Sequence, residues 1–146
     1  MKNKIVIAIT FLMLFSSCSL DDESNSAQYQ TFRSFWHLAR VTGGIAGVDN
    51  QFELDTVIWS FDEDNNEITV ENNNTDDTKQ DGLNSGVYSY ETTAFDTKEI
   101  LIIDNQDFGE IYLDSQNVLV IDQNETTMGS GADGFVYTFQ RVVVAE

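Results

Sequence analysis

Short runs of β-branched and aromatic residues recur along the chain, with clusters of Asn, Asp and Gly between them. Within the runs, apolar and polar residues alternate, as Ile68 and Val70 do with Thr69 and Glu71. A spacing of two is typical of a strand with one buried face, because successive side chains point to opposite faces. No comparable stretch has the 3.6-residue spacing of an amphipathic helix, and the chain contains no proline. The pattern predicts an all-β fold.

Eight such runs can be distinguished after residue 30. They cover residues 32–41, 55–61, 67–72, 86–93, 98–104, 109–115, 117–122 and 134–144. Sequential strands with short turns favour an eight-stranded, up-and-down antiparallel barrel, because closing the sheet removes its exposed edges. A sandwich of two sheets is the alternative arrangement of the same runs. The run 98–104 is apolar on both faces, which predicts either cover on both sides or an interface.

The N-terminal residues have a different composition. Two lysines precede eleven mostly apolar residues, Ile5–Phe15, and two serines follow. This is the layout of a secretory signal peptide, and its apolar part is shorter than the about 20 residues that span a bilayer. We therefore predict a signal peptide over residues 1–17. Residues 18–30, rich in Ser, Asn, Gln and acidic residues, are predicted to form a flexible tether before a domain over residues 31–146.

The only cysteine, Cys18, follows the two serines at the end of the apolar segment. This junction resembles the lipobox of bacterial lipoproteins, although Phe15 stands where leucine is usual. The acidic residues Asp21, Asp22 and Glu23 resemble the signal that exports lipoproteins of the Bacteroidetes type. The resemblance implies an outer membrane lipoprotein, exposed at the cell surface and attached to the membrane by acyl chains such as palmitate on Cys18. A secreted protein with a solvated linker is the alternative.

Acidic residues outnumber basic ones, with 25 Asp and Glu against 7 Lys and Arg. Cleavage after Ser17 would remove two of the lysines and no acid, which leaves a net charge of −20. Such a surface repels phosphate and argues against nucleic acid as a partner, whereas it favours cationic partners. With Cys18 acylated, the remaining chain has no thiol for a disulfide or for nucleophilic chemistry.

Two residues at opposite ends of the domain sequence carry a further resemblance. Trp36 lies in the first predicted strand and Arg141 in the last. The sequence "GVYSY" lies between them, and "YTFQRV" contains Arg141. Together they resemble the calycin superfamily, in particular lipocalin-like lipoproteins of the Bacteroidetes type. The resemblance implies that Trp36 packs at the closed end of the barrel, with Arg141 across its indole. Ser34 stands where the family's G-x-W motif has glycine.

Aromatic residues are the candidates for a ligand pocket in such a barrel. Five of them are Trp59, Tyr88, Tyr90, Tyr137 and Phe139. They either line a cavity near the open end or fill the interior, since side chains can occupy an eight-stranded barrel. We expect a module that binds a small apolar molecule or a peptide. The alternative is an acidic module that docks a cationic protein, for example as the inhibitor of a basic hydrolase.

Residues that could support catalysis or hold a metal are sparse in the sequence. His37, the only histidine, has no sequence partner spaced for a catalytic triad or a metal site. The stretch "DEDNNE" lacks the glycine and the distal glutamate of a calcium loop. The stretch "GSGADG" precedes a β-rich run rather than a helix, unlike a dinucleotide-binding loop. We therefore expect no enzyme activity, no metal and no cofactor.

The position of Cys18 generates a prediction about the mature protein. Mass spectrometry of protein extracted from membranes should find acyl chains on Cys18 as the first residue, because no other thiol follows the apolar segment. Cys18→Ser should abolish the modification, whereas Ser17→Ala, which keeps a small residue before the cysteine, should retain it. A free thiol on a water-soluble mature chain would contradict the prediction.

Overall fold

The computed structural model describes residues 31–145 of the chain. The predicted signal peptide over residues 1–17 and the tether over residues 18–30, with Cys18, lie outside them. The described part is all-β and contains no helix. Its strands are β1 Phe32–Gly43, β2 Val48–Gln51, β3 Val57–Asp62, β4 Glu67–Asn72, β5 Gly86–Phe95, β6 Lys98–Ile103, β7 Gln106–Leu113, β8 Leu119–Asp122, β9 Glu125–Thr126, β10 Gly129–Ser130 and β11 Phe135–Ala145.

Eight of these strands form a closed ring. Its order is β1, β3, β4, β5, β6, β7, β8 and β11, and β11 pairs back onto β1. All neighbouring strands in the ring are antiparallel. The closing pair runs from Phe32 opposite Ala145 to Gly43 opposite Phe135, with a register shift between Leu38 and Arg40. The predicted up-and-down barrel is therefore confirmed, and the alternative sandwich is excluded.

β2 is an additional strand outside the ring. It pairs with the second half of β1, while β3 pairs with Trp36 and His37 in the first half. The residues between β2 and β3, 52–56, do not belong to a strand. There the Nδ1 of His37 donates a hydrogen bond to the carbonyl of Leu54 and lies 3.3 Å from Oδ1 of Asp55. This buried histidine on the outer face of β1 therefore anchors the connecting segment to the barrel wall.

A small hairpin of β9 and β10 lies against the outside of β6 and β7. The Nζ of Lys98 is 2.6 Å from Oε2 of Glu125, and the backbone N–H of Thr127 donates to Asp107. The hydrogen bond to Glu125 raises the pKa of Lys98. Ile100 shares the outer face of β6 with Lys98 and is fully buried without belonging to the interior cluster. The hairpin therefore covers this face, which explains why the run 98–104 is apolar on both sides.

The interior is packed at the end where β4 is connected to β5. Trp59, Tyr137 and Phe139 are fully buried there, with Trp59 and Phe139 ring centroids 5.1 Å apart. The 73–85 loop crosses this end of the barrel. A Cβ on Gly82, whose φ is +87°, would lie 3.2 Å from the Tyr137 ring, so the loop backbone approaches the ring closely. The loop therefore closes one end of the barrel.

Cover of β6 by the hairpin can be tested through Ile100. Ile100→Ala should lower the free energy of unfolding by about 2–5 kcal/mol in urea titrations, the cost of truncating a buried isoleucine. Ile102→Ala is the matched control, because Ile102 lies on the same outer face but is only half-buried. If the two variants lost equal stability, Ile100 would not be packed beneath the hairpin.

Candidate functional site

A concavity of about 660 Å³ opens at the end of the barrel where β1 begins and β11 ends. We call it the Trp36 cavity. Its apolar wall is formed by Trp36, Phe61, Tyr90, Ile111, Leu113 and Leu119. Three glutamates, the rim glutamates, also border it: Glu63, Glu91 and Glu99. Glu91 is paired with Ile102 on the outer face, so it borders the mouth from the outer side of the barrel wall. The cavity therefore combines an apolar wall with a negatively charged mouth.

Small and polar residues at inward positions leave this end of the barrel open. Thr92 and Leu101 are paired across β5 and β6, and Leu101 belongs to the interior core. Alternation along the strands therefore turns Thr92 and Glu99 to the inner face as well. Neither residue is large and apolar, and both are exposed. At these two positions β5 and β6 therefore carry no ring that could fill the space between the walls.

The turn between β3 and β4 holds Glu63 at the mouth. Asp62 begins this turn, and its Oδ1 accepts hydrogen bonds from the backbone N–H groups of Asp64 and Asn65, each at 3.1 Å. Hydrogen bonds from the side chain and backbone of Asn65 lower the pKa of Asp62. Asn66 closes the turn in a left-handed conformation with φ 55°, which asparagine tolerates better than most residues. Local hydrogen bonding thus fixes the position of Glu63.

Two aromatic rings form one side of the wall. The centroids of Phe61 and Tyr90 lie 5.3 Å apart with the rings nearly perpendicular, which is a favourable edge-to-face geometry. Burial raises the pKa of Tyr90, and the negative charges of Glu63 and Asp62 raise it further. The Tyr90 hydroxyl therefore stays protonated at neutral pH. This hydroxyl is a polar group on the cavity wall, and it lies where the electrostatic potential of Glu63 and Asp62 is negative.

Trp36 and Arg141 are directly opposite each other in the pairing of β1 with β11. The Cζ of Arg141 lies 5.8 Å from the centroid of the Trp36 ring, within reach of cation–π attraction. The Nη2 and Nε of Arg141 donate to Oγ of Ser34 at 2.7 and 3.0 Å. Ser34 thus holds the guanidinium over the indole.

The five aromatic residues predicted for a ligand pocket separate into two groups. Trp59, Tyr137 and Phe139 are fully buried and pack into the interior, because the 73–85 loop covers that end. Tyr88 is half-buried, and its hydroxyl donates to a carbonyl of the same loop. Only Tyr90 of the five borders the Trp36 cavity. The cavity also lies at the end that the family resemblance implied to be closed, opposite the expected open end.

The rim glutamates were not among the residues selected from the sequence. Carboxylates occur throughout this acidic chain, so no pattern distinguished these three from the others. They come from the β3–β4 turn, from β5 and from β6, and only the barrel brings them to one mouth. The Trp36–Arg141 contact, in contrast, involves the two residues that the family resemblance had selected.

The sequence and the fold were compared with known proteins, and no similar protein was found. No family model matches the chain, and neither a curated protein nor a solved structure matches it. Within residues 31–145, no helix is both long and apolar enough to cross a membrane. The same residues contain no group of three His, Cys, Asp or Glu side chains that could hold a metal ion.

The contact between Trp36 and Arg141 can be measured by a double-mutant cycle. Arg141→Ala and Trp36→Leu should show a coupling of about 0.5–1 kcal/mol in the free energy of unfolding, because exposed cation–π pairs contribute about that much. Arg33→Ala with Trp36→Leu is the control, since Arg33 contacts the Phe35 ring instead. Strictly additive effects of the first pair would show that the contact does not stabilise the closure.

Proposed function

We propose that this protein is an outer membrane lipoprotein with a lipocalin-like barrel that binds a small apolar molecule or an apolar peptide segment. In this proposal Cys18 carries the acyl chains and the barrel is exposed at the cell surface. The lipobox-like junction and the acidic residues after it support the attachment. The closed eight-stranded ring and the contact between Trp36 and Arg141 support kinship with the calycins. The role is binding, not catalysis.

The observation that carries the proposal is the exposed apolar wall of the Trp36 cavity. Leu113 is 54% exposed on this wall, and Trp36 and Ile111 are only half-buried. Covering such surface is favourable by about 25 cal/mol per Å² of apolar area. The volume of about 660 Å³ lies within the roughly 300–1,000 Å³ of small-molecule sites. A bound apolar molecule would therefore gain from the wall without rearrangement of the barrel.

Docking of a cationic protein is the second candidate function. The rim glutamates and the excess of 25 acidic over 7 basic residues in the chain favour it. A folded basic protein would cover the mouth of the cavity and contact acidic residues over a wide area. A small ligand would instead enter the cavity and contact the apolar wall. Filling the cavity distinguishes the two, because it blocks only the small ligand.

Thr92→Trp is the variant that fills the cavity. Thr92 is exposed and borders the cavity from the inner face of β5, so an indole there should occupy the site of a ligand. The barrel without residues 1–18, which keeps the whole closed ring and its core, is titrated with the uncharged dye N-phenyl-1-naphthylamine. The variant should bind the dye at least about tenfold more weakly, equivalent to about 1.4 kcal/mol.

Val87→Trp is the matched control for this titration. Val87 belongs to the same strand but faces outward and is 61% exposed, so a tryptophan there should leave binding unchanged. Urea unfolding of both variants checks that the barrel is intact. Equal binding by the Thr92→Trp variant and the unsubstituted barrel would refute a ligand site in the Trp36 cavity. Undiminished binding of a basic protein by both would favour the second candidate.

A further inference from the structure

The rim glutamates lack cationic partners among the described residues. Glu63, Glu91 and Glu99 form no ion pair and no side-chain hydrogen bond with any residue of 31–145. The nearby Arg141 is directed to Ser34 and the Trp36 ring. Arg33 borders a neighbouring concavity with Glu63, but it donates a hydrogen bond to Oγ of Ser60. The mouth therefore carries negative charge that no ion pair neutralises, and a ligand that covers the apolar wall lies close to this charge.

The chemistry of the wall favours positive charge as well. The faces of aromatic rings carry negative electrostatic potential, and Trp36, Phe61 and Tyr90 all border the cavity. An anionic amphiphile would be repelled by the rim glutamates. An uncharged one would remove water from the carboxylates without replacing their hydrogen bonds, which is unfavourable. A molecule with an apolar body and a cationic group avoids both costs.

We infer that the Trp36 cavity is selective for amphipathic organic cations. The apolar body contacts Trp36, Phe61 and Ile111, and an ammonium or similar group lies among the rim glutamates. The inference rests on the proposed function, because it names the class of small molecule bound by the same cavity. It differs from docking of a basic protein, since the ligand enters the cavity with its apolar part.

The state of Tyr90 is consistent with a negative potential inside the cavity. Burial is the main cause of its raised pKa, and the negative charge of Glu63 is the next largest cause. The charge of a rim glutamate is therefore felt at a hydroxyl on the cavity wall. The same negative charges would attract a cationic group placed near this hydroxyl.

Selectivity can be measured with probes that share one alkyl chain and differ in charge. Decyltrimethylammonium, decyldimethylamine oxide at pH 8 and decanesulfonate are titrated into the barrel below their micelle concentrations. The cation should bind at least about tenfold more tightly than the uncharged amine oxide, and the sulfonate most weakly. Raising the salt concentration should reduce the difference between the cation and the amine oxide, because exposed charges are screened.

The rim glutamates are tested by an isosteric triple substitution. Glu63→Gln, Glu91→Gln and Glu99→Gln together should bring the affinities for the cation and the amine oxide to within about twofold of each other. The apolar wall is retained, so binding of the amine oxide should persist.

A triple variant with the same change in charge serves as the control. It combines Glu53→Gln, Glu71→Gln and Asp77→Asn, none of which borders the cavity. It should keep the preference for the cation, which separates the rim from the overall charge of the barrel. A preference lost equally in both triple variants would overturn the inference.

The remaining outcomes separate this inference from the proposed function. Equal affinity of the unsubstituted barrel for the cation and the amine oxide would overturn the selectivity and leave an apolar ligand site in place. Failure of all three probes to bind would refute the proposed function itself. Binding of a lysine-rich peptide without binding of decyltrimethylammonium would overturn the inference in favour of docking a cationic protein.

Discussion

The pairing of β1 with β11 is the constraint on which the rest of the barrel depends. It joins the first and last strands of the ring along their whole length. Every strand of the ring therefore has a hydrogen-bonded neighbour on each side, and the ring has no edge strand. Its register also decides which side chains face inward, because a shift of one residue would exchange the two faces. Trp36 and Leu38 reach the interior only in this register. The filled core and the open cavity both follow from it.

The two ends of the barrel use the same interior in different ways. At one end, rings such as Trp59, Tyr137 and Phe139 meet below the 73–85 loop and exclude a large ligand. At the other end, the inner positions of β5 and β6 carry Thr92 and Glu99, which are too small or too polar to fill the space. An eight-stranded ring has room for either solution. Side-chain size at a few inward positions therefore determines where a cavity remains.

Most strands of the ring could be predicted because they bury one face and so alternate in sequence, as β4 does. β6 could be predicted from its continuous run of β-branched and apolar residues. β2, with the sequence VDNQ, could not, since its residues are typical of turns and it exists only through pairing with β1. The hairpin of β9 and β10 could not be predicted either. It covers the outer face of β6, which is why β6 is apolar on both faces. Sequence reasoning left open whether the aromatic residues line a cavity or fill the interior, because nothing local in the 73–85 loop indicates that it packs on Tyr137. Selection of the rim glutamates required the closed ring.

The closing strand pair has a geometric consequence for how the barrel can be held. Phe32 pairs with Ala145, so both ends of the described chain lie beside the Trp36 cavity. An attachment made through the chain before Thr31 is therefore connected to the barrel on the side of its opening. The point of attachment is then on the same side of the barrel as the opening and opposite the end that the 73–85 loop closes. Whatever is joined to the chain there shares the space in front of the opening.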